Sequence, residues 1–319
     1  MLPPVPAAAF FPSGSKIQTE SEGILVGKRL GSRLFWLLVY ALTAVAVLSL
    51  AFVIFFIVRE ALPTFREVGV LEFLLGRRWM PVDYGSGASF GIFHFILGTL
   101  AVSITAMILA MAVGLGAALW LAFAAPPRAL GVLYPLIDLL AGIPSVIYGF
   151  VGLVTLVPLF LKAGVHTGTC VLAAAIVLSV MLLPYLVSSC SQTLRKGRAR
   201  YQPAADALGI SPWYTAATMV LPAVWKHILL SVVLASGRAM GETMAVMMVM
   251  GNANLFPTLL GKGETIASLI ALEMGTAAAG SLHYHALYAA GLVLMVLLLA
   301  VNGGIALLRR RMLNGEVEA

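Results

Sequence analysis

An arginine and a glutamate lie inside an otherwise apolar run, in the stretch ASGRAMGETMAV at positions 235–246. A charge at the centre of a bilayer costs about 2.5–3.5 kcal/mol on insertion scales, so such residues usually line a pathway or bind a partner group. At a spacing of four positions, Arg238 and Glu242 would share one face of a helix. The guanidinium suits bidentate contacts with anionic oxygens, and the carboxylate would neutralise it between binding events. The alternative is an ion pair that only fixes helix packing.

Two glycines flank the arginine. Gly237 and Gly241 form a small-xxx-small pair, which permits close approach of a neighbouring helix. The pair is common in membrane helices, so it predicts close packing whether or not the arginine binds a ligand.

The composition shows that the surroundings of these residues are a membrane. Of 319 residues, 61% are hydrophobic and only 10% are charged, with a mean hydropathy of +1.01, whereas soluble domains carry about 25% charged residues. A membrane-spanning helix needs about 20 apolar residues. Uncharged runs of sufficient length occupy 34–58, 84–127, 139–161, 163–194 and 274–308, and a sixth candidate, 227–251, contains the Arg/Glu pair. These runs predict an all-α membrane protein with six transmembrane helices.

The distribution of basic residues predicts the orientation. With six spans and a cytoplasmic N-terminus, 13 of the 20 Lys and Arg residues lie on the cytoplasmic side and 6 lie outside. Positive residues favour the cytoplasm, so both termini are expected there. The predicted organisation is a cytoplasmic tail at 1–30, a membrane domain at 31–311 with outer loops at 59–93 and 252–284, and a cytoplasmic tail at 312–319. The net charge of +7 is then mainly a topology signal, and nucleic-acid binding is an unnecessary interpretation of it.

The third predicted span contains a proline and several polar residues. Pro144 lies in mid-span, where it removes a backbone hydrogen bond and kinks the helix. Asp138, a turn or two nearer the cytoplasm, is either a second partner for Arg238 or a residue of the headgroup region. Ser145 and Tyr148 offer hydroxyls to a pathway, or they bond to carbonyls of their own helix.

The longest cytoplasmic segment, the coupling loop at 195–225, has the pattern of a helix–glycine–helix elbow. Pro203 is expected to begin a short helix that Gly209 ends. Ser211 is a candidate N-cap of the second helix, and Leu221-Pro222 is expected to bend the chain into the fifth span. The surface of the first helix is small and apolar, which favours insertion into a groove of another protein.

This elbow resembles the cytoplasmic loop of the membrane subunits of bacterial ABC importers. That loop has the pattern E-A-A, three residues, G, nine residues, I, one residue, L-P. The matching positions here are Pro203, Ala204, Ala205, Gly209, Met219, Leu221 and Pro222. Pro203 replaces the usual Glu and Met219 the usual Ile. The first change removes one polar contact that the family pattern implies with the ATPase subunit.

Longer stretches resemble the PstC-type permease subunit of the phosphate ABC importer. They are LLAGIPSVIYGFVGL, GRAMGETMAVMMVMGNANLFP and TIASLIALEMG, together with GRRWMPVDYG and FGIFHFILGTL, and the resemblance covers roughly 34–310. It implies a type I (MetI-like) permease fold with a cytoplasmic coupling helix, in the bacterial inner membrane. It also implies a PstA-type second permease, two copies of a PstB-type ATPase, which carries the ATP and Mg, and an external PstS-type phosphate-binding protein. No cofactor is expected in this chain.

Signatures of other functions are missing from the sequence. It contains no G-x-x-x-x-G-K-[ST] or H-E-x-x-H motif, so neither ATP binding nor zinc-dependent hydrolysis of the H-E-x-x-H type is expected. His283 and His285 have no third ligand at zinc spacing, and no metal site is predicted. Three alternatives to a phosphate permease stay open. They are a permease for another oxyanion such as phosphonate or molybdate, an ion-coupled secondary transporter with Arg238 and Glu242 as a proton relay, and a structural anchor for regulatory proteins.

Overall fold

The computed structural model describes residues 14–82 and 87–314. Its helices are α1 (Gly14–Glu67), α2 (Val70–Leu75), α3 (Phe93–Phe123), α4 (Pro127–Ala141), α5 (Ser145–Lys162), α6 (Val171–Ala207), α7 (Pro212–Thr215), α8 (Leu221–Gly241), α9 (Met244–Met250), α10 (Ile266–Glu273) and α11 (Leu282–Asn314). A π-helical turn, Ala216–Val220, joins α7 to α8. The strands β1 (Trp79–Met80) and β2 (Ser89–Phe90) pair antiparallel. Residues 1–13 and 315–319, which belong to the two predicted tails, lie outside the described residues.

Six helical segments of the described chain are long and apolar enough to cross a membrane. They are Phe35–Glu67, Phe93–Phe123, Ser145–Lys162, Val171–Ala207, Pro212–Gly241 and Leu282–Gly304. The prediction of an all-α protein with six transmembrane helices is confirmed. The part of α1 up to Phe56 is a unit of its own, and its apolar side chains from Phe35 onward are largely exposed. A helix that is hydrophobic on all sides suits a lipid environment.

Small residues bring the central helices together. In the main buried cluster, Ala106 and Ala110 of α3 pack with Leu178 and Leu182 of α6. Apolar side chains gain little by leaving lipid, so membrane helices associate through close packing, which small residues permit. The α3–α6 contact therefore forms the centre of the second unit, which begins at Ile57.

The outer loops have structure of their own. Trp79 of β1 packs edge-to-face on Phe90 and Phe95 in a second buried cluster. The loop at 252–284 contains the short helix α10, and the Thr265 side chain caps its start by accepting a hydrogen bond from the Ser268 N–H at 3.1 Å. The second buried cluster thus joins these loops to α3, α10 and α11.

The third predicted span differs from the expectation. The chain forms two helices: α4 ends at Ala141, and α5 begins at Ser145 directly after Pro144, which has φ −56° and ψ 138°. The prediction of a kink within one continuous helix is wrong. Pro144 instead precedes the first residue of α5, a position where its missing N–H leaves no intrahelical hydrogen bond unmade.

Candidate functional site

The fifth span ends between the two charges that define the candidate site. The helix α8 stops at Gly241, Glu242 is extended with φ −70° and ψ 124°, and α9 begins two residues later. The prediction that Arg238 and Glu242 share one helix face is therefore wrong. A carboxylate oxygen of Glu242 accepts a hydrogen bond from the Ala245 N–H at 3.3 Å, at the start of α9, where the helix dipole favours a negative charge. No ion pair joins Arg238 to Glu242 within the described chain.

Arg238 lines a polar pocket between α4, α6 and α8. The pocket has a volume of about 280 Å³. Its lining residues are Asp138, Ala141, Pro184, Tyr185, Ser188, Ser189, Gln192 and Arg238. The hydroxyls of Ser189 and Ser231 lie 2.7 Å apart, and the Gln192 amide donates to the Ser188 hydroxyl at 3.1 Å. One cation, one carboxylate and a row of neutral polar groups thus surround a single space.

The acidic neighbour of Arg238 in this pocket is Asp138. Asp138 lines the same pocket as the arginine, whereas Glu242 does not. Both Asp138 and Arg238 are exposed in the single chain, so both charges are accessible to a ligand.

The polar face of α6 was missed from the sequence. Tyr185, Ser188, Ser189 and Gln192 recur at spacings of three and four, so they line one face of this helix. The signal was present as the run SSCSQ at the end of the fourth predicted span. Serines in membrane helices often bond to carbonyls of their own helix, which made this run uninformative by itself.

The residues beside Pro144 have separate surroundings. The Tyr148 hydroxyl donates to the Leu140 carbonyl at 2.8 Å, across the break between α4 and α5, and it lies within electrostatic reach of Arg238. Ser145 is half-buried at the start of α5 and does not line the Arg238 pocket. Tyr148 therefore bridges the two half-helices close to the pocket.

The two glycines around Arg238 differ in their contacts. A Cβ on Gly237 would lie 3.4 Å from the Asn302 amide nitrogen of α11, so α8 and α11 approach closely there. A Cβ on Gly241 would meet no atom of the described residues within 4 Å. Close packing within the chain therefore involves only the first glycine of the pair.

Glycines of α5 hold the segment after the break in place. A Cβ on Gly149 would lie 2.8 Å from the Ala245 Cα. A Cβ on Gly152 would lie 3.1 Å from the Val249 Cγ1 and would collide with the Val177 side chain of α6. These contacts place α5 directly against α9. They thereby position the backbone of α9, which follows the end of α8.

The first arm of the elbow begins differently from the prediction. The helix α6 runs without interruption through Pro203 to Ala207, so the prediction that Pro203 begins a helix is wrong. Gly209 has φ +68°, and its N–H bonds to the Asp206 carbonyl at 3.1 Å. The Ile210 N–H bonds to the Ala205 carbonyl at 2.9 Å, which completes a Schellman motif. Gly209 thus ends the helix, as the sequence predicts.

The second arm of the elbow is continuous with the fifth span. Ser211 caps α7 by accepting a hydrogen bond from the Tyr214 N–H at 3.3 Å, as predicted. The chain remains helical through Leu221 and Pro222, where a bend was expected, because the preceding π-helical turn accommodates a proline that has no N–H to donate.

The elbow presents small and apolar residues to its surroundings. Pro203, Ala204 and Leu208 are exposed, and 74% of Leu208 is accessible, whereas Ala205 is buried. Trp213, Tyr214 and Met219 are further exposed large side chains of the second arm. Exposed apolar surfaces of this kind are typical of contact sites for a partner protein.

The outer histidines have carboxylate partners. The His283 Nε2 lies 2.7 Å from the Glu273 Oε2, to which Trp79 also donates at 2.9 Å. The His285 Nδ1 lies 3.3 Å from the Glu60 Oε2 and 2.9 Å from the backbone carbonyl oxygen of the same residue. The described residues contain no group of three or more metal-ligating side chains suited to a metal ion.

A known protein family matches more than half of this chain. The family described as "Binding-protein-dependent transport system inner membrane component" matches residues 114–314. The chain is 38% identical over 234 residues to the probable ABC transporter permease protein YqgH of Bacillus subtilis, covering 72% of this chain and 74% of that protein.

Relatives whose names specify phosphate are somewhat more distant. The phosphate transport system permease protein PstC of Xylella fastidiosa (strain Temecula1) is 35% identical, with 72% of this chain and 76% of that protein covered. The probable PstC of Methanocaldococcus jannaschii is 31% identical, with coverages of 83% and 90%.

Solved structures of the inward-facing MetNI methionine ABC transporter share the fold. Two crystal forms align with TM-scores of 0.52 and 0.55 at 16% identity. They cover 67% and 69% of this chain, and 92% and 95% of the aligned transporter chains. The expectation of a MetI-like permease fold is confirmed.

Proposed function

Since the chain belongs to the inner-membrane components of binding-protein-dependent transport systems, we propose that it is a permease subunit of an ATP-driven phosphate importer. In this proposal it forms half of the translocation pathway, and a PstA-type permease forms the other half. Its relatives are transporter permease subunits, so the chain itself is not an enzyme.

The observation that carries the proposal is the Arg238 pocket. Phosphate oxygens would accept hydrogen bonds from the guanidinium, which has the geometry for bidentate contacts, and from hydroxyls of α6 such as that of Ser188. Asp138 takes the neutralising role that the sequence gave to Glu242, because it lines the same space. A counter-charge close to the guanidinium weakens phosphate binding, which favours release.

The exposed elbow supports coupling to an ATPase. We infer that Leu208 and its small neighbours, Ala204 and Pro203, insert into a groove of a PstB-type ATPase dimer, which binds ATP and Mg. A PstS-type protein would deliver phosphate from outside. Both termini would then be cytoplasmic, in agreement with the excess of basic residues on that side.

The test is phosphate uptake by cells that depend on this importer. Arg238→Gln removes the charge and the guanidinium but keeps a polar side chain. A lost charge-assisted hydrogen bond is worth about 1.5–3 kcal/mol, so uptake of labelled phosphate should fall roughly 10- to 100-fold. Lys162→Gln, which removes an exposed charge at the end of α5, is the matched control and should keep uptake. Wild-type uptake by a fully assembled Arg238→Gln complex would contradict the proposal.

Additional uptake measurements distinguish the alternative functions. Phosphonate or molybdate that competes better than phosphate would identify another oxyanion as the cargo. Uptake that persists without the ATPase subunit would identify an ion-coupled secondary transporter. Uptake that is insensitive to every substitution in the Arg238 pocket would favour a structural anchor.

A further inference from the structure

A second polar pocket lies between the end of α6 and the start of α8. It has a volume of about 330 Å³. Its lining residues are Thr193, Lys196, Gly197, Arg200, Tyr201, Ala223, Val224 and His227. None of them lines the Arg238 pocket, and the two arms of the elbow emerge from the same helix ends.

The lining carries positive charge without a counter-charge. Lys196 and Arg200 are four positions apart on α6, and His227 faces the same space from α8. No carboxylate is among the lining residues, and no ion pair within the described chain involves these three side chains. Like charges at this spacing repel each other and destabilise a helix, and a bound anion would relieve the repulsion.

A neighbouring pocket of similar composition does contain a carboxylate. The pocket that contains Arg195 and Arg198, on another face of α6, includes Asp206. There the Arg198 guanidinium also donates to the Ala122 carbonyl at 2.6 Å. Arg195 and Arg200 each lie over an aromatic ring, with 5.6 Å from the guanidinium carbon to the ring centroid of Tyr134 and of Tyr201, respectively, so the difference between the two pockets is the carboxylate of Asp206.

Helix packing fixes the shape of the second pocket. A Cβ on Gly197 would lie 2.7 Å from the Val220 Cγ1 and 2.9 Å from the Val224 Cγ1. The glycine therefore sets a short distance between α6 and α8 at the base of the pocket. The basic side chains project from two helices that are held in register, so their arrangement exists before any ligand binds.

We propose that this pocket binds a phosphate group on the cytoplasmic side of the membrane. Lysine and arginine bind phosphate oxygens through charge-assisted hydrogen bonds, and the hydroxyls of Thr193 and Tyr201 add neutral donors. Two sources supply this chemistry at that depth: the headgroup of an anionic phospholipid and inorganic phosphate. Basic pockets between transmembrane helices near the cytoplasm are typical sites for anionic headgroups.

Occupation of the pocket would affect the elbow. The ligand would bridge Lys196 and Arg200, shortly before the turn at Gly209, to His227, shortly after Pro222. It would thereby tie the two arms of the elbow together. The site is a point at which membrane composition or cytoplasmic phosphate acts on the movement of the elbow.

The experiment uses the assembled importer and needs no transport readout, so its outcome is independent of the proposed cargo. The test variant is Lys196→Gln/Arg200→Gln. The control is Arg128→Gln/Arg195→Gln, which removes the same charge from the same side of the protein but from outside the pocket. In the lipid arm, each complex is purified from bilayers that contain phosphatidylglycerol, and the retained lipid is quantified by native mass spectrometry.

In the phosphate arm, each complex is placed in nanodiscs of neutral phosphatidylcholine, and binding of ³²P-phosphate is measured by equilibrium dialysis. All proteins in this arm carry Arg238→Gln, so that the other pocket contributes little to the signal. The test variant should lose at least tenfold in lipid retention or in phosphate affinity, and the control should stay within twofold of its parent.

Each outcome has a defined meaning. A loss confined to the lipid arm identifies a headgroup site, and a loss confined to the phosphate arm identifies a site for the free anion. Equal losses in the test and control variants would mean a general effect of charge and would overturn the proposal. Equal binding by the parent and the test variant in both arms would overturn it as well.

Discussion

Glu264 carries a prediction about pH because it is a carboxylate inside the outer layer. Its side chain is 7% exposed, directly before the cap of α10. Its backbone carbonyl abuts Gly98 of α3, where a Cβ would collide with it. Burial, with a smaller contribution from the negative charge of Glu273, raises the pKa of Glu264 from 4.5 to about 7. Glu273 itself accepts hydrogen bonds from Trp79 and pairs with His283.

The sign and size of the effect follow from this pKa. Between pH 4.5 and about 7 the folded protein holds a proton on Glu264 that the unfolded chain has lost, so the free energy of unfolding falls as pH rises through this window. At about 1.4 kcal/mol per pKa unit, the decrease is roughly 3 kcal/mol. The stabilisation is fully present at pH 4.5 and below, and it is lost above pH 7.

The substitution Glu264→Gln removes the ionisation but keeps the shape of the side chain. The variant should match the wild type at pH 4 and should unfold at a higher temperature at pH 8. Thermal unfolding of the purified importer, followed by tryptophan fluorescence at both pH values, measures this difference. Glu72→Gln, which changes an exposed carboxylate of α2, is the control and should behave as the wild type at both. If Glu264→Gln were no more stable than the wild type at pH 8, the carboxylate would not be desolvated and the reasoning would fail.

Two further predictions concern glycines. Gly152→Ala places a methyl group against Val177 and 3.1 Å from the Val249 Cγ1, so it should lower the free energy of unfolding by about 1–3 kcal/mol in the same thermal assay. Gly116→Ala is the control, because a Cβ there would meet no described atom within 4 Å, and it should leave the free energy of unfolding unchanged. Equal stability of the two variants would contradict the tight α5–α9 contact. Gly209→Ala forces φ +68° on a residue with a Cβ, at roughly 1–2 kcal/mol, and should reduce ATP hydrolysis stimulated by phosphate and the binding protein. Unchanged stimulation would separate the turn at Gly209 from coupling.

The spans were predictable from the sequence because length and apolarity decide them. The elbow's turn and its second cap were also predictable, since Gly209 and Ser211 act through local backbone geometry. The continuation of α6 through Pro203 was not, because proline is common both at the start of a helix and, less often, inside one. Tertiary packing decides between the two, and the flanking Gln202 and Ala205 are buried.

The candidate site was only half predictable. Arg238 is conspicuous since a charge within an apolar run has few explanations. The placement of Glu242 on the same helix face was wrong because hydropathy does not detect a break in the helix at Glu242. That carboxylate has a local use as a cap, whereas Asp138 reaches the pocket only through the packing of α4 against α6.

A single helix connects the features that the proposals assign to different tasks. One face of α6 between Tyr185 and Gln192 lines the Arg238 pocket, and one face between Thr193 and Tyr201 lines the second pocket. The same helix is tied to the outer loop by the hydrogen bond from the Val171 N–H to the Gly261 carbonyl at 3.0 Å, and it ends in the elbow. No break interrupts its 37 residues. A displacement imposed on the elbow by the proposed ATPase would therefore be carried along α6 to the Arg238 pocket, and a ligand in the second pocket would act on the same helix before the displacement reaches the cargo.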